Sequence, residues 1–491
     1  VTRPTVAQAL AWRPDALREL ATGWDAAADA IRTHAVGSSA DWHGQAADAA
    51  SVRMGTLVEQ ADAVVSTLVT AAAAARAGCD CIAEARVDVL TRVTEAKAMG
   101  FVVADDGTVT PFADHAQVHA NAFSEEIGSA LDRLGQADAD AARDIDAAAD
   151  VTGDWPTATP DRIADQIAAM TPAQRARLIE DAPFMVGDTN GVPWDMRFAA
   201  NRVNIAQAVR DETGTDPNAL RRIGFYLDLL RDVDDPAGSG QRVDRQILAF
   251  DPARSTLVEL NGDLDTASSV AVLVPGMNTT VEGSAANTET ARRFVAATHG
   301  EVAAITYLGG PFPHGPNVIA ALAEAADPHY ALEMAPRLAA FSGDVDRTVD
   351  ATGRQVAVTY VGHSYGGSIL GTAEALGMTA DRTLYVAAAG AGVGVDDPGD
   401  WHNRNPHVLR FSMTAPGDVI ELVQGLPGGP HGADPDEMLG VIRLATGHYD
   451  DGTPMAGPRA HTDVIDRQDS DSWRTILAVI TGDREHIQVA G

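Results

Sequence analysis

The first 150 residues show a helical alternation of apolar and polar positions and almost no proline. Leu10, Leu17, Leu20, Trp24 and Ala28 recur at spacings of three, four and seven, as one apolar helix face requires. Gly37, Ser38 and Ser39 predict a break, with Asp41 placed to cap a second helix from about Trp42. "MGFVVADDGTVTPFAD" predicts a turn or short hairpin before another long helix. Two long helices and two further helical stretches suffice for a four-helix core. A second helical block spans residues 156–235, where Thr171 and Pro172 form a good helix start.

The texture changes after "DDPAGSGQRVDR", residues 234–245, which has linker or turn composition. "RQILAFD" and "STLVELNGD" predict a hairpin. "SVAVLVPG", "EVAAITYLGG", "QVAVTYVGH", "DRTLYVAAAG" and "HVLRFSMTAPGD" are apolar runs ending in turn residues, separated by helical patterns. Such runs are buried on both faces of a mostly parallel sheet flanked by helices. The expected division is a helical bundle over 1–155, a helical linker or cap block over 156–235, and an α/β catalytic domain over 236–491.

Length agrees with that division, since 491 residues correspond to about three domains. The formal net charge of −33 repels phosphate backbones and anionic lipid surfaces, which argues against nucleic-acid partners. No apolar run approaches the roughly 20 residues of a membrane span. The N-terminus lacks the apolar core of a cleaved secretory signal. Cys79 and Cys81, two apart on a helix, point to different sides and are too few for a structural zinc site.

The chemistry concentrates in "YVGHSYGGSILG", residues 360–371. A serine between a buried strand and a helix, in Gly362-x-Ser364-x-Gly366, is the pattern of a nucleophile elbow. The flanking glycines avoid collision with the neighbouring strand and helix, and the hydroxyl is expected to stand exposed at the sheet's carboxyl edge. Serine needs a base to take its proton, and the base needs an orienting carboxylate. In this fold the chain order is serine, acid, histidine. Asp418, after "HVLRFSM", is the first candidate acid, with Asp396 and Asp397 as alternatives. His461, ahead of the last amphipathic helix, is the first candidate base, with His448 and His431 as alternatives. The backbone N–H groups of Met277 and Tyr365 are the candidate oxyanion donors.

Two resemblances extend this reading. Trp42-His43-Gly44, between two predicted long helices, resembles the Trp-x-Gly turn of small ESX-type secreted proteins of actinobacteria. The secretion signal implied by that likeness, a Tyr followed four residues on by Asp or Glu, is missing, because the first tyrosine is Tyr226 and Leu230 follows it. The expected location is therefore cytoplasmic, or exported without a cleaved signal peptide, with the type VII route left open.

The second resemblance rests on "MTPAQRARLIEDAPFMVGDTNGVPWDMRFAANR", "GDLDTASSVAVLVPGMNTT", "VGHSYGG", "TAPGDVIELV", "HGADP" and "AHTDV", in that order. Together these are similar to an actinobacterial α/β-hydrolase family, long known only as a domain of unknown function and often preceded by an ESX-like helical region. The resemblance implies a serine hydrolase with Ser364, Asp418 and His461 as triad, and no metal or organic cofactor. The expected activity is cleavage of a small-molecule or lipid carboxylic ester, esterase- or lipase-like. A peptidase or acyltransferase would use the same triad. A helical interaction or export-associated protein with a non-catalytic hydrolase scaffold is the alternative of another class, and the N-terminal helices are the expected surface for a helical partner. The segments 308–330 and 419–440 leave the same sheet edge and are the expected pocket walls.

Overall fold

Small side chains organise the N-terminal helices. In the computed structural model, which describes residues 3–34, 45–111, 116–150, 155, 158–315, 318–422, 424 and 429–490, Ala72, Ala75, Cys79, Ile82, Val89, Val93 and Ala96 are buried along one continuous helix. Their spacings of three, four and seven keep them on one face. The elements here are α1 (Val6–Ala11), α2 (Asp15–His34), α3 (Gln45–Ala98), a minimal hairpin of β1 (Val102–Val103) and β2 (Val109–Thr110), and α4 (Gln117–Asp150). Next come α5 (Pro160–Ala168), α6 (Pro172–Asp181) and α7 (Pro183–Asp188).

The chain divides into two compact units, one of residues 1–35, 60–158 and 171–185, the other of residues 36–59, 159–170 and 186–491. In the first, α3 and α4 enclose Ile82, Val89, Phe101, Ile127, Leu131 and Leu134. A Cβ on Gly78 would lie 2.5 Å from the Cβ of Ala141, so those two helices meet at a glycine. Among the described residues the N-terminal region has three long helices, of 20, 54 and 34 residues. The expected first helix is interrupted at Trp12–Pro14, where proline removes a backbone donor. Of the expected face, Ala28 is buried and Leu17 and Trp24 pack against buried residues, while Leu10, ahead of the break, and Leu20, next to the buried Ala21, are exposed. Trp42-His43-Gly44 and the break proposed around Gly37 lie outside the described residues. Cys79 is buried and Cys81 exposed, both as free thiols on α3.

The second unit continues with α8 (Trp194–Asp211), α9 (Pro217–Leu229), a two-stranded turn of β3 (Val233–Asp234) and β4 (Arg242–Val243), β5 (Gln246–Asp251), β6 (Thr256–Asn261) and β7 (Ser269–Val274). Then follow α10 (Ala285–Ala297), β8 (Val302–Gly309), α11 (Val318–Ala325), α12 (His329–Ala351), β9 (Ala357–His363) and α13 (Tyr365–Ala375). The chain closes with β10 (Arg382–Val386), β11 (Leu409–Met413), β12 (Val441–Arg443), α14 (Ala460–Asp466) and α15 (Asp471–Thr481). One eight-stranded sheet, ordered β12-β11-β10-β9-β7-β8-β6-β5, organises them. It is parallel from β12 through β8, and β6 runs antiparallel to both β8 and β5. The predicted β5–β6 hairpin and five parallel strands are all present.

Both faces of the sheet are covered, which explains strands without polar alternation. One core joins Trp194, Tyr226, Phe341, Leu338 and Ile369 to the sheet, and the other joins Phe294, Val464, Trp473 and Ile476. Phe294 and Trp473 stack with ring centres 5.0 Å apart, fixing α10 against α15. The motif "WDMRFAANR" braces the first core. Arg197 and Asp344, both almost fully buried, pair at 2.9 Å, and Trp194 and the Gly191 N–H also donate to that carboxylate. Asn201 donates to the carbonyls of Gly187 and Ile247. Removing Asp344 would leave the buried Arg197 without a counter-charge, which costs several kcal/mol, about 3 to 5.

Candidate active site

Interatomic distances account for the glycines on either side of Ser364. A Cβ on Gly366 would lie 2.1 Å from the Val274 carbonyl oxygen, and one on Gly362 would lie 2.6 Å from the Gly366 oxygen. Neither position admits a side chain. Ser364, between them, takes φ 57° and ψ −121°, outside the regions open to L-residues at low cost. Such a conformation persists only where the surroundings over-determine it, at a cost of about 1–3 kcal/mol. Here the Ser364 N–H donates to Val386, and its carbonyl accepts from Gly367 and Ala389 at 3.0 and 2.9 Å.

Ser364 is not exposed, as the elbow pattern suggested, but buried. The turn after β7 closes over it, and Gly276 permits this because a Cβ there would lie 2.6 Å from that of Ser364.

Three distant segments meet at the hydroxyl. His461, in the first turn of α14, places Nε2 3.0 Å from Ser364 Oγ. Its Nδ1 lies 2.9 and 3.1 Å from the two oxygens of Asp418. A carboxylate only accepts, so Nδ1 carries the proton and Nε2 presents its lone pair to the serine O–H. Asp418 is buried in the turn after β11 and also accepts the Ile420 N–H at 3.0 Å. The arrangement can move a proton off Ser364 and hold the resulting imidazolium against a fixed negative charge.

The alternative residues sit elsewhere. His431 faces Ser368, with Nδ1 2.9 Å from its hydroxyl and Nε2 donating to the Ala325 carbonyl at 2.7 Å. His448 is exposed, 3.9 Å from Asp471. Asp397 caps the short turn at Pro398–Asp400, where the Asp396 N–H donates to Asp400.

Tyr365 opens α13, where its N–H has no carbonyl of a preceding helical turn to meet. The turn holding Met277 is pinned on both sides: the Asn278 N–H donates to Pro313 at 2.8 Å, and the Thr279 hydroxyl to Gly276 at 2.8 Å. A cleft of about 270 Å³ opens beside Ser364, floored by Leu273, Val361 and Ile465 and edged by Asn278, Asn287 and Asp466. Among the described residues the segments 308–330 and 419–440 do not line it; Pro313 acts only through its bond to Asn278.

One residue of the site was missed from sequence. His363, the residue before the serine, donates from Nε2 to the His461 carbonyl at 2.7 Å and so ties α14 to β9. Its position in Gly-His-Ser was the available signal. Burial, and then the neighbouring His461, push its pKa down to about 4. Burial lowers that of His431 as well. An unfolded histidine binds its proton near 6.5, so between about 6.5 and 4 the unfolded chain holds more protons. Stability is therefore complete above pH 6.5 and lost as pH falls towards 4, by as much as about 3 kcal/mol for His363. Urea unfolding at pH 7.5 and 4.5 should show this loss, and His363→Gln should reduce it. An unchanged difference in the variant would refute the assignment.

A sheet in which β7 and β8 exchange places, with a serine elbow after β9 and an acid after β11, defines the α/β-hydrolase fold. The comparison with known families agrees: residues 251–427 match the family model described as alpha/beta hydrolase. That match, which supports placing this unit in the alpha/beta hydrolase family, covers Met277, Ser364 and Asp418 and ends before His461. No curated protein and no solved structure matches the chain. No helix of the described residues is long and apolar enough to cross a membrane.

Proposed function

We propose that the protein is a serine hydrolase that cleaves carboxylic esters through an acyl-enzyme at Ser364. The observation that carries this reading is the unbroken hydrogen-bond chain from Asp418 through His461 to Ser364. The serine oxygen attacks the ester carbonyl while Nε2 of His461 takes its proton. The carbonyl oxygen becomes an oxyanion facing the Met277 and Tyr365 N–H groups. Collapse breaks the bond to the alcohol oxygen, which receives the proton from His461, leaving the acyl group on Ser364. Water then repeats the sequence, releasing the acid. Residues 1–155 and 156–235 contribute none of these groups, so we assign them to a bundle and a cap block, with the ESX-like region as the surface for a helical partner.

A fluorophosphonate probe tests the reading, because it phosphonylates only an activated serine. Intact-mass analysis should show one adduct, peptide mapping should place it on Ser364, and Ser364→Ala should abolish it. Absence of labelling in the folded wild-type chain would favour the non-catalytic scaffold instead.

A further inference from the structure

The cleft beside Ser364 has a direction. The atom that receives the proton from His461 Nε2 is the leaving alcohol oxygen, so the alcohol must lie on the side of His461. That side is the space between α10 and α14, lined by Asn287 and Thr290 from the first and by Thr462, Ile465 and Asp466 from the second. What lines it should then select the alcohol.

The lining is rich in hydrogen-bond acceptors. Thr290 donates its hydroxyl to Asp466 Oδ1 at 2.7 Å, which orients the carboxylate. Among the described residues no protein group donates to the second oxygen. Arg293 binds the Asp466 backbone carbonyl at 2.9 Å, not its side chain, so the negative charge is not neutralised there. His363 also lines the cleft, and with Nε2 donating to His461 its Nδ1 is an acceptor. The side-chain amides of Asn278 and Asn287 add neutral donors and acceptors. Among the described residues no Phe, Tyr or Trp lines the space, which leaves no aromatic surface there on which a quaternary ammonium group would be held. An anionic alcohol would be repelled by Asp466.

We infer that this cleft is the alcohol subsite for esters of a polyhydroxylated alcohol, such as a glycerol or sugar ester, with Asp466 accepting from a substrate hydroxyl. The inference rests on the serine-hydrolase reading. It places the specificity of the enzyme in α10 and α14, on the leaving-group side, and leaves the acyl side unassigned.

The test uses four butyrate esters that share one acyl group: ethyl, glycerol, glucose and choline. The full chain should hydrolyse the glycerol or glucose ester with kcat/KM about tenfold or more above that of ethyl butyrate. Asp466→Ala should reduce that ratio by about tenfold, mainly through KM, and Asp466→Asn, which keeps an acceptor oxygen, should restore part of it. Because Asp466 also holds Thr290, Asn287→Leu serves as a second variant and should lower the same ratio. A wild-type ratio near one, or a preference for choline butyrate lost in Asp466→Asn, would overturn the inference while leaving the hydrolase reading intact. Failure on all four esters, with no fluorophosphonate adduct, would defeat the hydrolase reading and this inference with it.

Discussion

Ser364→Ala should abolish ester turnover, lowering kcat by about 10⁴-fold or more, while the protein keeps its fold. The two expectations have separate physical grounds. The loss follows because the attacking oxygen is gone, and neither His461 nor Asp418 can substitute for it in acyl transfer. The retained fold follows from what the side chain touches: among the described residues Oγ bonds only His461, whose side chain reaches the cleft and can take water instead. The elbow itself is held by backbone bonds to Val386, Gly367 and Ala389, and alanine keeps those. A companion variant separates chemistry from strain. At φ 57° any L-residue is strained, so Ser364→Gly should be equally inactive yet more stable than Ser364→Ala by about 1 kcal/mol. Thermal unfolding and turnover of a short-chain ester measure both. Turnover near the wild-type level in purified Ser364→Ala would eliminate the nucleophile assignment.

The elbow was readable because its constraint is local. Two glycines two residues either side of a serine, between an apolar run and a helical pattern, leave few other conformations. The parallel strands were readable for a related reason, since burial on both faces removes polar alternation from β7 to β10. β12 was missed because Val441–Arg443 offers only three residues, too few for any period to show. The turn composition at 234–245 concealed a second small hairpin for the same reason.

The cleft was illegible on other grounds. Asn287, His363 and Asp466 lie on α10, β9 and α14, and only the packing of those helices on one face of the sheet brings them together. Nothing local in "AANTETARR" or "HTDVID" marks a ligand surface. The burial of Ser364 is of the same kind, since it depends on Gly276 crossing from another strand. In the N-terminal region the period of apolar residues was read correctly as helical. Leu17, Trp24 and Ala28 of the expected face do pack inward, whereas Leu10 lies ahead of the break at Trp12–Pro14 and Leu20 sits at the edge of the face beside the buried Ala21, so both are exposed.

Asp418→Asn is the sharper test of the triad, because it changes one atom and should cost about 10⁴-fold in kcat. In the wild-type protein both carboxylate oxygens lie within 3.1 Å of His461 Nδ1, so that nitrogen must donate. An asparagine can instead turn its NH₂ towards the ring, making Nδ1 the acceptor and moving the proton to Nε2. That N–H then faces Ser364 Oγ and cannot take its proton. The imidazolium formed in the transition state also loses its buried counter-charge. Size and burial are unchanged, and an amide oxygen at the Oδ1 position can still accept the Ile420 N–H, with the NH₂ then at the Oδ2 position, 3.1 Å from Nδ1. The effect should not add to that of Ser364→Ala: the double variant should be no slower than Ser364→Ala alone, because the acid acts only through the base on that oxygen. Asp397→Asn, at a capping position away from His461, should retain turnover. If Asp397→Asn were the inactive variant and Asp418→Asn the active one, the orienting role of Asp418 would be untenable.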